Sequence, residues 1–314
     1  MAMSILNEFL PRLQYKTLMP YDPYEGTAYH YTSLGNVNSI LLRDDSVSLW
    51  ASRYDCLNDA SEGTLPKMRF EQACSRLRKS GKIDDKFFEL IKDVQPNRTK
   101  LFLTRSEDQI RLVRGDFRRY VVSFSEDPDA LAMWNYYSKG NRYEGMNIGI
   151  DIGSMKGFLD STLNFDGSVE VQTAKVVYNE EEQISIIEKA ILDLREHCEP
   201  RYESSVGYCI GTLLSNLKPV LKLECFEHEK EVRLFVDILN KPQNKPTVKY
   251  RTNAGFIIPY IELGFGKSSV RSIMLGPSLG DIRQKKAQEE VAREMMEGHG
   301  YQVAVESSKI PVRY

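Results

Sequence analysis

The sequence predicts an α+β fold built on a mixed, mostly antiparallel sheet. Three observations carry that expectation: strand-like segments fall in clusters, helical segments lie between the clusters, and no regular β-α alternation runs through the chain. A chain of 314 residues that is 41% hydrophobic has enough apolar material for a sizeable core.

Residues 1–27 read as an N-terminal arm broken by Pro11, Pro20 and Pro23. Residues 28–314 read as a single α+β domain with helical insertions at about 64–94 and 179–217. The run A-Y-H-Y-T-S at 28–33 is aromatic and β-branched and predicts a strand. A short helix is expected over 34–42, from Leu34, Val37, Ile40 and Leu41, then a strand over 46–51 carrying Trp50. Residues 55–63 form a turn-rich acidic loop in which Asn58 and Asp59 suit side-chain-to-backbone turns. In 64–94, Phe70, Ala73, Cys74 and Leu77 share one side of a helix among basic residues. The polar, basic stretch 96–119 is expected to be a mobile loop, and Y-V-V-S-F-S at 120–125 a strand.

Pro128 and neighbouring acids start a short helix with Leu131, Trp134 and Tyr137 on one side and Gly140 at its end. Residues 146–152 predict a strand, where Gly149 implies close approach of a ligand or another backbone. A strand or pair over 168–178 precedes helices at 179–196 and 202–217. Strands at 255–263 and 270–275 follow, then a helix at 281–297 with Ala287, Val291, Ala292 and Met295 inward, and a last strand at 301–306.

The net charge of −2 carries no global nucleic-acid signature, although basic stretches at 69–82 and 111–119 offer local positive charge. Five scattered cysteines without a C-x-x-C pair argue against a zinc site or a disulfide framework and suit a reducing compartment. No stretch reaches the roughly 20 apolar residues of a membrane helix, so a cytoplasmic protein is expected. Neither nucleotide-binding glycine loop, nor a nucleophile elbow, nor metal spacing among the four histidines is present. Asp55, Asp59 and Glu62 could gather a divalent ion only at a spacing that fits no metal motif.

The stretch E-H-E-K-E-V-R-L-F at 227–235 is the most informative for chemistry. As one strand, it places Glu227, Glu229, Glu231 and Arg233 on a single face. In a cleft, the arginine would hold one carboxylate ionised while another meets a ligand hydroxyl. On an exposed face the same residues form only a loose salt bridge.

Four blocks in order resemble a bacterial family of unknown function, domain-of-unknown-function family 2971: Y-H-Y-T-S with N-V-N-S-I-L-L, L-N-D-A-S-E-G, S-F-S-E-D with L-A-M-W-N-Y-Y-S-K-G and M-N-I-G-I-D, and F-E-H-E-K-E-V-R-L-F. The first block also resembles the opening of nucleic-acid-modifying ADP-ribosyltransferases. That resemblance implies NAD as substrate, bound by His30, Tyr31 and Thr32, with Asn58 beside them, Trp134 or Tyr137 over the nicotinamide, and Arg233 near Glu231 or the pyrophosphate. Glu229-Lys230-Glu231 resembles the E-x-E motif, which implies that Glu229 faces the acceptor and Glu231 is catalytic. The implied partners are a macromolecular acceptor, RNA or DNA before protein, and an inhibitory partner protein, as for toxins or anti-phage effectors. A non-catalytic ligand-binding or regulatory protein that keeps the cleft is the alternative.

Overall fold

The computed structural model describes residues 2–43, 46–57, 63–106, 109–137, 144–164, 166–240, 246–253, 255–277 and 282–311. In chain order the elements are α1 (Ala2–Phe9), α2 (Tyr15–Leu18), β1 (Thr27–Thr32), α3 (Val37–Ile40), β2 (Val47–Arg53), α4 (Leu65–Lys79), α5 (Asp85–Ile91), β3 (Thr99–Ser106) and β4 (Gln109–Ser125). They continue as α6 (Leu131–Tyr137), β5 (Met146–Asp151), α7 (Ile152–Leu163), β6 (Val169–Lys175), α8 (Glu180–Glu196) and α9 (Glu203–Leu217). The last are β7 (Glu231–Leu239), β8 (Lys249–Asn253), β9 (Phe256–Phe265), β10 (Val270–Leu275), α10 (Ile282–Gly298) and β11 (Ala304–Ser307).

The strands join in one mixed sheet in the order β11-β10-β5-β1-β4-β2-β9-β8, with β7 on β4, β6 on β7 and β3 on β4. Every named ladder is antiparallel except β10 with β11. The mixed α and β composition and the mostly antiparallel sheet agree with the sequence reading. β4 is the hub. β7 pairs along it from Phe117 to Ser125. β1 meets it at Ser125, through Tyr29, while β2 meets it at Val121 and Tyr120. β1 and β2 therefore diverge from β4, and the sheet forks at Ser123.

One sheet face carries Phe124, Val122, Val232, Leu234, Ile148 and Ile150, packed against Met155 and Leu159 of α7 and Ala292 and Met296 of α10. On α10, Ala287 and Val291, both expected inward, are exposed; Ala292 and Met296 form the buried stripe, with Met295 half-buried beside them. The other face meets a helical layer whose core includes Phe70, Ile187, Ile191, Ile210 and Leu214. Leu6 and Phe9 of α1 lie in that same core, so the segment expected as an arm packs on α8 and α9.

Local chemistry explains several helix starts. Asn179 accepts from the Glu182 N–H and caps α8, and Asp84 accepts from the Phe87 N–H and caps α5. The expected loop at 96–119 is instead the β3–β4 hairpin. Its arginines disguised the strand: Arg119 points inward onto Asp237, while Arg114 bonds Thr99 and lies 4.6 Å over the Tyr208 ring. At Gly149 a Cβ would collide with the Ser272 hydroxyl and crowd the Tyr29 ring, so neighbouring side chains, not a ligand, occupy that space.

Candidate functional site

The stretch 227–235 is not one strand. Residues Glu224–Glu229 form a 3₁₀ turn, and Lys230 follows with φ 43°, a left-handed conformation unusual for a residue with a Cβ. β7 begins only at Glu231. The reversal lets the Glu126 N–H donate to the Lys230 carbonyl and the Ser125 hydroxyl to the Glu229 carbonyl. Strand alternation therefore does not align Glu227 and Glu229 with Glu231. Lys222 joins the latter two instead, with Nζ 2.6 Å from Glu229 Oε2 and 3.1 Å from Glu231 Oε2.

All nine residues of β7 are buried. Its inward face reads Glu231, Arg233, Phe235, Asp237, so the charges sit beneath the helical layer rather than on an exposed strand. Arg233 grips Glu231 with Nε on Oε1 and Nη2 on Oε2, both at 2.8 Å, and donates Nη1 to the Pro219 carbonyl. Burial raises the Glu231 pKa, but the Arg233 and Lys222 charges and the hydrogen bonds outweigh it and hold the carboxyl at about 2. A carboxylate offers about four acceptor sites. Arg233 fills two and Lys222 one, so Glu231 is ionised and most of its acceptor capacity is engaged.

Tyr137, at the end of α6, is 46% exposed. Its hydroxyl end is nonetheless crowded by protein, which with the Glu231 and Glu229 charges pushes the phenol up to about 12. α6 is tied to the 3₁₀ turn by Tyr136, whose hydroxyl lies 2.9 Å from His228 Nε2. Trp134 is only 1% exposed. It packs edge-on against Tyr31 at 4.7 Å and donates Nε1–H to Asp129, which also accepts from Ser308 and the Lys309 N–H. The Tyr31 hydroxyl donates to the Asp127 carbonyl and accepts from the Ala130 N–H. Of the two aromatics considered for stacking, Trp134 is buried and Tyr137 is half-exposed.

His30 sits at the fork. Its Nδ1 is 3.3 Å from the Ser123 carbonyl, which requires the proton on Nδ1, and its ring meets Phe124 edge-on at 5.8 Å. Burial lowers its pKa against that hydrogen bond, so the ring is neutral. Tyr29 pairs with Ser125, and Ser125 with Glu231. Alternation then directs the His30 Cβ to the opposite sheet face from Glu231. Thr32 is buried and accepts from the Asn36 amide. Asn58, Asp59 and Glu62 lie outside the described residues. The structure thus brings Glu229, Glu231, Arg233 and Tyr137 together, with His30 one strand away across Ser123. Lys222 and Tyr178 escaped the sequence reading. Lys222 bridges the two glutamates, and the Tyr178 hydroxyl accepts the Glu231 backbone N–H. No spacing signal marks either, because both lie outside the motif.

Much of the basic charge read from the sequence is engaged internally. Arg69 bonds Gln183 and Glu180, Arg76 forks onto Glu181, Arg78 meets Asp85, and Arg119 forks onto Asp237. No group of three or more metal-ligating side chains occurs among the described residues, and no helix among them is long and apolar enough to cross a membrane. The recesses of about 560 Å³ between α4 and α5 and about 660 Å³ beneath the N-terminal segment are lined by none of the expected site residues.

The fold and site define a mixed α/β protein with a buried acid–base cluster beside an exposed tyrosine. A family model described as "Protein of unknown function (DUF2971)" matches residues 133–234, which runs from Met133 within α6 to Leu234 of β7 and supports that part of the resemblance. No curated protein and no solved structure matches the chain.

Proposed function

We propose that the chain is an NAD-dependent ADP-ribosyltransferase-like protein that transfers ADP-ribose to a macromolecular acceptor, nucleic acid before protein. The observation that supports this reading is the juxtaposition of Glu231, a carboxylate held ionised, with Glu229 and the partly exposed Tyr137. In this reading the nicotinamide–ribose bond breaks, nicotinamide leaves with the bonding electrons, and positive charge develops on the ribose. The Glu231 carboxylate stabilises that charge through the 2′-hydroxyl. Tyr137 supplies a stacking face for the nicotinamide. The acceptor nucleophile attacks the ribose carbon as its proton passes to Glu229. Arg233 is a positioning residue, because its guanidinium grips the Glu231 carboxylate and anchors on the Pro219 carbonyl. Lys222 is the donor that can move: a bound pyrophosphate attracts its ammonium away from Glu231 and frees one lone pair for the ribose hydroxyl.

The engagement of Glu231 by Arg233 and Lys222 specifically favours a second reading, a non-catalytic ligand-binding or regulatory protein. The separating experiment incubates the protein with labelled NAD and a mixed cell extract, then resolves protein, RNA and DNA. Glu231→Gln alone is ambiguous, since it also leaves Arg233 and Lys222 buried with less counter-charge. Tyr137→Ala is the cleaner variant, because the ring is exposed. A transferase labels one fraction, and Tyr137→Ala lowers the labelling at least about tenfold, with its thermal midpoint unchanged. Absence of label and of free nicotinamide with the wild-type protein selects the binding reading.

A further inference from the structure

A second cluster lies on the sheet face opposite Glu231. Arg118 and Tyr120 alternate with Val121 on β4, and Arg53 of β2 is directly across from Tyr120. Tyr250 of β8 pairs with Pro259 of β9. Arg53, Arg118, Tyr120, Tyr250, Asn240 and Pro259 line one recess of about 180 Å³. The side chains converge on the Tyr120 phenol, whose pKa burial raises while the neighbouring Arg53 and Arg118 charges lower it.

Three features of the recess point to a ligand. Arg118 is exposed and has no ion-pair partner among the described residues. Asp55 engages only the Nε edge of Arg53, with Nη2 near the Cys56 sulfur, so the guanidinium is not closed off by a bidentate acid. Tyr250 is 68% exposed, an apolar ring at the rim of a cationic recess. Two forked cations match a phosphate, and a free aromatic face beside them matches a base. The volume is below the roughly 300–1,000 Å³ of ordinary small-molecule sites, which excludes a whole dinucleotide but leaves room for one ring or one phosphate group.

We propose that this recess binds one nucleotide unit, with the phosphate between Arg53 and Arg118 and the base on the Tyr250 ring. The unit can come from a free mononucleotide or from single-stranded nucleic acid, which share this chemistry. The site is independent of Glu231, so its failure and that of the transferase reading are separate events.

The test titrates the full chain, at low salt, with adenosine 5′-monophosphate, inorganic phosphate and a ten-nucleotide oligouridine, and repeats the titrations with Arg118→Ala and Tyr250→Ala. Both substitutions are at exposed positions, and circular dichroism checks that each variant is folded. The expected result is binding of the mononucleotide or the oligonucleotide that weakens with salt and falls about tenfold in each variant, while Tyr250→Phe, which keeps the ring, retains it and Tyr15→Ala, at an exposed position outside both sites, leaves it unchanged. An oligonucleotide bound more tightly than the mononucleotide identifies nucleic acid as the source; equal affinity identifies the free nucleotide. No binding of either ligand, binding indifferent to both alanine variants, or inorganic phosphate bound as tightly as the mononucleotide would overturn the proposal.

Discussion

Glu231 shows how a residue type can be legible in sequence while its setting is not. The acids and the arginine of E-H-E-K-E-V-R were visible, and Arg233 does hold Glu231. The alternation argument failed at Lys230, whose left-handed backbone is announced by no glycine or asparagine. Lys222 was illegible for another reason: its distance in sequence carries no period, and only folding brings it to both glutamates. The pH dependence follows from the same contacts. The Glu231 carboxyl is depressed from 4.5 to about 2, and that of Asp237 from 3.8 to about 2 by Arg119 and Lys100 against burial. A depressed acid contributes stability above its unfolded pKa and loses it as pH falls through its folded pKa. Neutral His30 acts in the same direction, because protonation favours the unfolded chain as pH drops below about 6.5. Chemical-denaturation midpoints should therefore decline from about pH 6, most steeply between about 4.5 and 2. In Glu231→Gln, proton uptake on unfolding in that lower window should fall by about one. An identical acid limb in wild type and variant would show that Glu231 is not the ionised, paired group described.

At the scale of elements, helices and short apolar strands were the most legible, because period and caps agree in them. The apolar period over 179–196 marked α8, and the aromatic run at Tyr29–Tyr31 marked β1. The β3–β4 hairpin was not legible, because strand patterning assumes that the inward face is apolar. Here Arg119 forks onto Asp237 at 2.7 Å on each oxygen and donates to the Ser215 carbonyl, while Lys100 adds a third bond to Asp237 at 2.8 Å. A buried arginine in the sequence is indistinguishable from a solvated one until its acid is found 118 positions away. These contacts join β3, β4, β7 and the end of α9. Asp237→Asn removes the carboxylate that Arg119 forks onto and leaves that guanidinium buried without an acid, while Lys100 keeps Glu170, so urea denaturation should show a loss of about 3–5 kcal/mol. Asp116→Asn, at an exposed position on the same hairpin, should stay within about 0.5 kcal/mol. Equal, small effects at both positions would mean that the cluster is hydrated rather than buried.

For the whole molecule, the forked sheet and the helical layer depend on one another through the segment that precedes β1. Pro11, Pro20 and Pro23 suggested a loose arm, yet Ile5, Phe9 and Leu13 are spaced four apart, and Pro11 falls in a 3₁₀ turn that tolerates it. Leu6 is 4% exposed and Phe9 0%. Phe9 stacks on Tyr202 at 5.0 Å, Arg12 reaches Glu199 at 2.6 Å, and the Thr17 hydroxyl donates to Asp193 of α8. Farther along, the Asn216 amide of α9 donates to the Leu18 carbonyl, and the Thr173 hydroxyl of β6 to the Tyr24 carbonyl. The segment thus runs across the helices to the sheet as a strap. Truncating a buried leucine costs about 2–5 kcal/mol and a phenylalanine about 3–5. Removing both is comparable with the whole stability of an ordinary domain, about 5–15 kcal/mol. Deleting residues 2–13 should therefore abolish the cooperative thermal transition and open α8 and α9 to limited proteolysis. Tyr15→Ala, at a ring 70% exposed, should leave both unchanged. A deletion variant that melts cooperatively at the wild-type midpoint would mean that the segment is an appendage and that the helical layer holds to the sheet through the Asp237 and Glu231 clusters alone.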